Sequence, residues 1–304
     1  MTEPVIILQG LIKSYGSVRA LRGLNLEVYS AELFGFLGPN GAGKTTTIRC
    51  LLDLIHPDAG YLRVLGIDPQ KKPAEVKALI GYLPGELHLH DNLTGTQMLR
   101  YLNSLRGDAA VWSTVQQLAE RLQLDLGRRI KNLSRGNKQK LGIIQALMHH
   151  PPLLLLDEPT SGLDPLMQQE VFSILRERQA QGATIFFSSH ILGEVQALAD
   201  RAGIIRNGRL VEVIQPHNLV DRTLHRLRVI FREPVESQPF AALPGVTVLG
   251  QESANVLLLQ VSGEMDALVK SMADYPLSSF ETEQPTLEEV FLAYYKNNTE
   301  EEER

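Results

Sequence analysis

The chain has 304 residues, enough for one large α/β domain and a smaller one with cores that need no covalent staples. Its 30 basic and 35 acidic residues give a net charge of -5, which argues against broad binding to nucleic acid or anionic lipid. A single cysteine, Cys50, excludes an internal disulfide framework, fits a reducing cytoplasm, and beside Ile48, Leu51 and Leu52 reads as a small core residue.

In chain order, Met1-Thr2-Glu3-Pro4 lacks the basic start and apolar centre of a secretory signal, and no later run approaches the roughly 20 apolar residues that cross a bilayer. Action at a membrane therefore requires a second component to hold the chain there. Residues 5–8 and 24–28 read as strands on either side of a Lys13-Ser14-Tyr15-Gly16 turn. Residues 32–37 form a strand that leads into a glycine-rich loop, and a helix follows over 44–54. Two short apolar runs, 153–156 and 184–187, have the character of strands buried on both faces of a parallel sheet. Between them Asp164 caps a helix, Pro165 takes its first position, and Val171, Ile174 and Leu175 make its buried stripe. This alternation is an α/β architecture with ligands at the strand C-termini.

After about Arg222 the texture changes. Residues 227–231, 246–249 and 256–261 look like strands, while 265–272 and 287–295 look like helices. Pro234, Pro239, Pro244 and Gly245 punctuate them. The expected organisation is a first domain over 1–220, a small α+β domain over 221–296 and an acidic tail over 297–304.

The run Gly38-Pro39-Asn40-Gly41-Ala42-Gly43-Lys44-Thr45 matches the phosphate-loop pattern G-x-x-x-x-G-K-[ST] and sits between a strand and a helix, the context the motif requires. Glycines let the backbone wrap phosphates, so successive N–H groups and the helix start face negative charge. Lys44 is placed to reach the β- and γ-phosphates and Thr45 to ligate Mg²⁺. The strand ending in Asp157-Glu158 supplies the complement. Asp157 holds Mg²⁺ through its hydration shell, and Glu158 orients or deprotonates the attacking water. Taken alone, two acids at a strand end would be unremarkable; beside a phosphate loop they are a catalytic pair.

Three further segments follow in a telling order. Leu133-Ser134-Arg135-Gly136-Asn137, continued by Lys138-Gln139-Lys140, stands before the acid-ending strand, Ser161-Gly162-Leu163-Asp164 stands after it, and Ser188-Ser189-His190 ends the next strand. With the phosphate loop they resemble, over residues 4–215, the nucleotide-binding domain of ABC transporters. In that resemblance residues 133–137 are the LSGGQ-like signature, 161–164 the D-loop and His190 the switch histidine, a γ-phosphate sensor that supports Glu158. Tyr15 resembles the aromatic residue that stacks on adenine, and Thr46 a residue that contacts the α-phosphate. The resemblance implies a P-loop NTPase fold of the ABC type with a helical signature subdomain, ATP and Mg²⁺ as cofactors, and ATPase activity. It also implies two partners. One is a second ATP-binding subunit whose Ser134 and Gly136 close over the first subunit's nucleotide. The other is an integral membrane permease, which holds the protein at the cytoplasmic face of the membrane.

The sequence departs from the family at three places. Arg135 replaces a glycine and adds positive charge near phosphate, and Asn137 replaces a glutamine. In Gly81-Tyr82-Leu83-Pro84-Gly85-Glu86 the family's metal-touching glutamine is missing, since Gly85 follows the proline. Glu86 is then the candidate metal ligand, unless the site works without this contact. These variants and Pro285-Thr286-Leu287-Glu288-Glu289-Val290-Phe291-Leu292 look like the drug, antibiotic and lipid exporter branch, in which ATPase and permease are separate chains. The competing function is a soluble ABC-type regulatory or nucleic-acid-associated ATPase. Such proteins usually carry a coiled-coil insertion or two cassettes, and this chain has neither pattern.

Overall fold

The first hairpin is longer than its sequence suggests. In the computed structural model, which describes residues 3–106, 111–216, 224–262 and 264–283, β1 (Pro4–Tyr15) pairs antiparallel with β2 (Val18–Tyr29) along its whole length. Tyr15 pairs with Val18, so Lys13, Ser14 and Tyr15 are the end of β1, and Gly16 (φ 58°) and Ser17 alone make the turn. The register shifts between Leu8 and Leu11, around Gly10 at φ 60°, so the buried residues run Ile6, Leu8, Leu11. That bulge breaks the period of two and hides the second half of the strand from a pattern reading.

The chain divides into two compact units, 1–216 and 217–304. In the first, β4 (Ala59–Val64) joins the hairpin in a three-stranded sheet of order β2-β1-β4. A six-stranded sheet of order β5-β6-β7-β3-β8-β9 contains β3 (Leu33–Leu37), β5 (Ile80–Leu83), β6 (Leu153–Asp157), β7 (Thr184–Ser189), β8 (Arg201–Arg206) and β9 (Arg209–Ile214). All its pairings are parallel except β8 with β9. Every residue of β3, β6 and β7 is buried, as their unbroken apolar runs demand.

The helices of this unit are α1 (Lys44–Leu51), α2 (Pro73–Ala78), α3 (Gly95–Arg106), α4 (Val111–Arg121), α5 (Arg135–Leu147), α6 (Pro165–Ala180) and α7 (Leu192–Leu198). Helix α1 stops before residue 54, because Asp53 turns into the left-handed region at φ 50° and Leu54 N–H bonds back to the Arg49 carbonyl. Helix α6 starts as its sequence demands: Asp164 Oδ1 accepts from Met167 N–H at 3.0 Å, and Val171, Ile174 and Leu175 are buried. Helices α3 and α4 both pack on α5. No helix among the described residues is long and apolar enough to cross a membrane.

In the second unit β10 (Leu224–Phe231), β11 (Val246–Ser253), β12 (Val256–Ser262) and β13 (Leu277–Glu283) form an antiparallel sheet of order β11-β12-β10-β13, with α8 (Gln238–Ala241) and α9 (Asp266–Met272). Its core joins Leu227, Val229, Leu257, Leu259 and Leu268 to a cluster of Phe231, Phe240 and Tyr275, whose ring centroids lie 5.2–5.9 Å apart. Strand β13 was not legible beforehand, since its Ser278, Ser279 and Glu281 leave little apolar pattern on an edge strand. The helix expected over 287–295, the motif from Pro285 to Leu292 and the acidic tail lie outside the described residues.

Register decides where function can sit. Leu37 pairs with Ser189 and Asp157 with Ser188, so β3, β6 and β7 end side by side and their following loops share one edge of the sheet. Cys50, on α1 behind this edge, is 1 % exposed, and burial pushes its thiol up to about 12. At pH 8 roughly one thiol in ten thousand is then ionised. The native protein should resist a thiol reagent at this pH and react fully in denaturant; rapid native labelling would contradict the placement.

Candidate phosphate and metal site

The loop after β3 holds glycines where the protein leaves no room for a side chain. A Cβ on Gly38 would lie 2.4 Å from the Ile205 carbonyl, and one on Gly43 2.7 Å from that of Ala20. Gly41 and Gly43 also take φ of 81° and 113°, which side chains rarely tolerate. Pro39 is half-buried, Asn40 and Gly41 are exposed, and Ala42 is buried against the core. Thr47 Oγ1 donates to the Gly43 carbonyl at 3.0 Å and fixes the helix start beneath the loop.

Lys44 is 5 % exposed, and its Nζ donates to the carbonyls of Gly38 at 2.7 Å and Pro39 at 3.2 Å. Burial lowers its pKa, while the carboxylates of Glu158 and Asp157 push it back up. Its ammonium lies 3.9 Å from Glu158 Oε1. A cation kept in a dry loop against two weak carbonyl acceptors is poised to exchange them for phosphate oxygens. Thr45 and Thr46 are half-buried at the first turn of α1.

Asp157, 1 % exposed at the end of β6, accepts from Thr45 Oγ1 at 2.7 Å and from Ser188 Oγ at 2.5 Å. A hydroxyl and a carboxylate, both hard oxygen donors held at two element ends, suit Mg²⁺. Glu158 follows at φ 52°, a left-handed conformation costly for any residue that carries a Cβ and found where geometry serves function. Its N–H donates to Ser188 Oγ at 3.0 Å, and Gln139 Nε2 donates to the carbonyls of Glu158 and Pro159 at 3.0 and 3.1 Å. His190 Nδ1 lies 3.0 Å from Glu158 Oε1. Because a carboxylate only accepts, Nδ1 carries the proton.

The other predicted residues fall into three places. Tyr15 is half exposed at the end of β1, beside Asp58, which accepts from Lys13 Nζ at 2.9 Å and from Ser14 N–H at 2.6 Å. Ser134 caps α5, accepting from Asn137 N–H at 3.2 Å, above the buried Leu141, Ile144 and Leu147. Gly136 sits where a Cβ would lie 2.7 Å from the Gly162 carbonyl, and Arg135 Nη2 donates to Ser161 Oγ at 3.0 Å. The charge of Arg135 is thus tied to the D-loop-like segment of its own chain. Among the described residues no hydrogen bond links Ser134 or Gly136 to the phosphate loop. In the loop after β5 it is Gly85, not Glu86, that faces the metal carboxylate: a Cβ there would lie 3.1 Å from Asp157 Oδ2. Glu86 is exposed and no bond joins it to Thr45 or Asp157.

Sequence reasoning gave no role to Ser188 or Gln139. Ser188 matters only through the β6–β7 register, which no linear pattern displays.

A lysine-bearing glycine cradle beside a metal carboxylate and a histidine-held acid is the nucleotide centre of a P-loop ATPase. A family model described as ABC transporter matches residues 21–161. The bacitracin transport ATP-binding protein BcrA of Bacillus licheniformis is 40% identical over 70% of both chains. The daunorubicin resistance ATP-binding protein DrrA3 of Streptomyces coeruleorubidus is 34% identical over 96% of both. Nod factor export ATP-binding protein I of Rhizobium meliloti is 36% identical, covering 72% of this chain and 67% of its own. A solved structure of an ATP binding subunit of an ABC transporter superposes with a TM-score of 0.66 at 29% identity, over 71% of this chain and 91% of that one. The chain belongs to the ABC transporter family, as an ATP-binding subunit with ATPase activity.

Ser188→Ala should leave the N–H of Glu158 and one oxygen of Asp157 unpaired in a buried site. The nucleotide-free protein should lose about 1–3 kcal/mol in urea unfolding. An unchanged midpoint would show that Ser188 does not hold these groups.

Proposed function

We propose that two copies of this chain form shared ATP sites and power a separate membrane-embedded permease, in export, from the cytoplasmic face of the membrane. One observation carries the shared site. The chain has two helix starts suited to phosphate, one after Gly43 with no side-chain cap and one capped by Ser134, and among the described residues no bond joins the second to the first. Both can serve one γ-phosphate when the second comes from another copy. Export is supported by the relatives, whose names include bacitracin transport, daunorubicin resistance and Nod factor export.

In this reading Tyr15 stacks on adenine and residues 38–43 wrap the phosphates with their N–H groups. Lys44 trades its carbonyl partners for the β- and γ-phosphates, and Thr46 contacts the α-phosphate. Thr45 and Asp157 would hold Mg²⁺, which would neutralise charge on the phosphates. Glu86, exposed and unbonded to Thr45 and Asp157 in this structure, would add a ligand only by movement of its loop beside Gly85. Glu158 orients the water and takes its proton, while His190 fixes the carboxylate through Oε1 and senses the γ-phosphate. Ser134 and Gly136 of the second copy close the site.

Glu158→Gln removes the base but not the phosphate cradle. Turnover should fall by at least about a hundredfold, with ATP affinity retained and an ATP-bound dimer accumulating. Near-normal turnover would remove Glu158 from its role.

The shared site is tested by mixing a Lys44→Ala chain with a Ser134→Arg chain, each inactive alone. In the mixed dimer one site carries both defects and the other neither. Activity or ATP-dependent dimerisation should return on mixing. Recovery of neither means that each chain builds its own site.

A further inference from the structure

Glu194, half-buried on α7, has both carboxylate oxygens engaged. Thr160 Oγ1 donates to Oε1 at 2.5 Å, and Ser189 Oγ donates to Oε2. Thr160, 2 % exposed, stands two residues after Glu158, and Ser189, 1 % exposed, stands one residue before His190. One carboxylate therefore bridges the segment that carries the catalytic acid and the strand end that carries its histidine. Among the described residues, the only other hydrogen bonds between the two segments are those of the β6–β7 ladder, those through Ser188 and the His190–Glu158 bond itself.

The bridge stands on a fixed base. Helix α7 seats Val195 against Gly35 of β3, where a Cβ would lie 2.9 Å from Val195 Cγ1 and 3.2 Å from Ala199 Cβ. Ser189 is held in turn: its carbonyl accepts from Gly38 N–H at 3.2 Å and its Oγ accepts from Ile191 N–H at 2.9 Å. Glu194 thus refers the ends of β6 and β7 to the strand that feeds the phosphate loop.

We propose that Glu194 is a positioning residue for ATP hydrolysis, setting the spacing at which His190 Nδ1 meets Glu158 Oε1. It acts only through Thr160 and Ser189, and the inference rests on the roles given above to Glu158 and His190. Two converging hydroxyl donors call for an ionised acceptor, and such charge-assisted bonds are the short, strong ones. Alanine leaves the Thr160 hydroxyl without this acceptor and the Ser189 hydroxyl with Ile191 as its remaining partner, which frees the two segments to drift, and a misplacement of about 1 Å can cost on the order of a hundredfold in rate. Glutamine keeps one acceptor and offers an N–H to the other hydroxyl, which can reverse its bond.

The test is steady-state ATPase kinetics and ATP binding on the full chain for Glu194→Ala and Glu194→Gln, with Glu158→Gln as reference. Glu194→Ala should lower kcat about tenfold to a hundredfold with KM and ATP affinity within about threefold, and Glu194→Gln should restore kcat to within about fivefold of the parent. If Glu194→Ala does not fold, Thr160→Val, which removes one of the two bonds to Glu194, and Ser189→Ala, which removes the other together with those to Ile191, should lower kcat at unchanged KM. A normal kcat in the alanine variant, or a loss shared by kcat, KM and the glutamine variant alike, overturns the proposal. Should Glu158→Gln itself retain turnover, the assignment of the base is wrong. Should Glu158→Gln be inactive while Glu194→Ala is normal, only the positioning role is wrong.

Discussion

The nucleotide site is organised around the burial of one carboxylate. Asp157 is 1 % exposed at the end of a strand whose other residues are all apolar, and an ionised group there is tolerable only if its oxygens are satisfied. The donors come from different elements: Thr45 from the first turn of α1 and Ser188 from the end of β7. Satisfying Asp157 therefore locks helix, β6 and β7 into one arrangement. The same Ser188 hydroxyl receives the N–H of Glu158, so Asp157 and Glu158 share a support. Each bond is modest by itself, but removing a partner leaves a buried group unpaired, and that asymmetry makes the arrangement specific.

Glu158 shows what that support sustains. A left-handed backbone at a glutamate is unfavourable, and the carbonyls of Glu158 and Pro159 need partners outside the β6 ladder. Gln139 accepts the task, donating to the carbonyls of Glu158 and Pro159 from α5. The strain aims the side chain out of the sheet edge, toward His190 and the Lys44 ammonium. Two positive or proton-bearing groups on one oxygen keep the carboxylate in place without burying it.

How much of this was legible in the sequence depends on whether the information is local. The glycine cradle, Lys44, Thr45, the Asp157–Glu158 pair and the cap at Asp164 depend on neighbours within one turn or one loop, and their patterns can be read directly. The buried strands announced themselves because burial on both faces demands unbroken apolar runs. The second half of β1 did not, since the bulge near Gly10 shifts its period, and polar β13 carried almost no signal. Ser188, Gln139 and Glu194 were illegible for another reason. Their partners lie 31, 19 and 34 residues away, brought together by the parallel register and by α5 and α7. Gly85 lies between these cases: its departure from the family pattern is visible in sequence, but its close approach to Asp157 is not.

The signature segment adds a coupling that follows from the same logic. Gly136 must lack a side chain because the Gly162 carbonyl passes where its Cβ would be, and Arg135 fastens that contact by donating to Ser161. Residues 161 and 162 follow Glu158 by three and four positions, and the Ser161 N–H bonds back to the Glu158 carbonyl at 3.1 Å. The start of α5 and the segment carrying the base are thus one mechanical piece of a single chain. In the dimer proposed above, that piece would present Ser134 to one nucleotide and Glu158 to the other. Pulling Ser134 onto a γ-phosphate would then load the very loop that aims Glu158 at the opposite site. On this view Arg135, a departure from the family's glycine, strengthens the tie between the two sites, because it adds a bond that a glycine has no side chain to make.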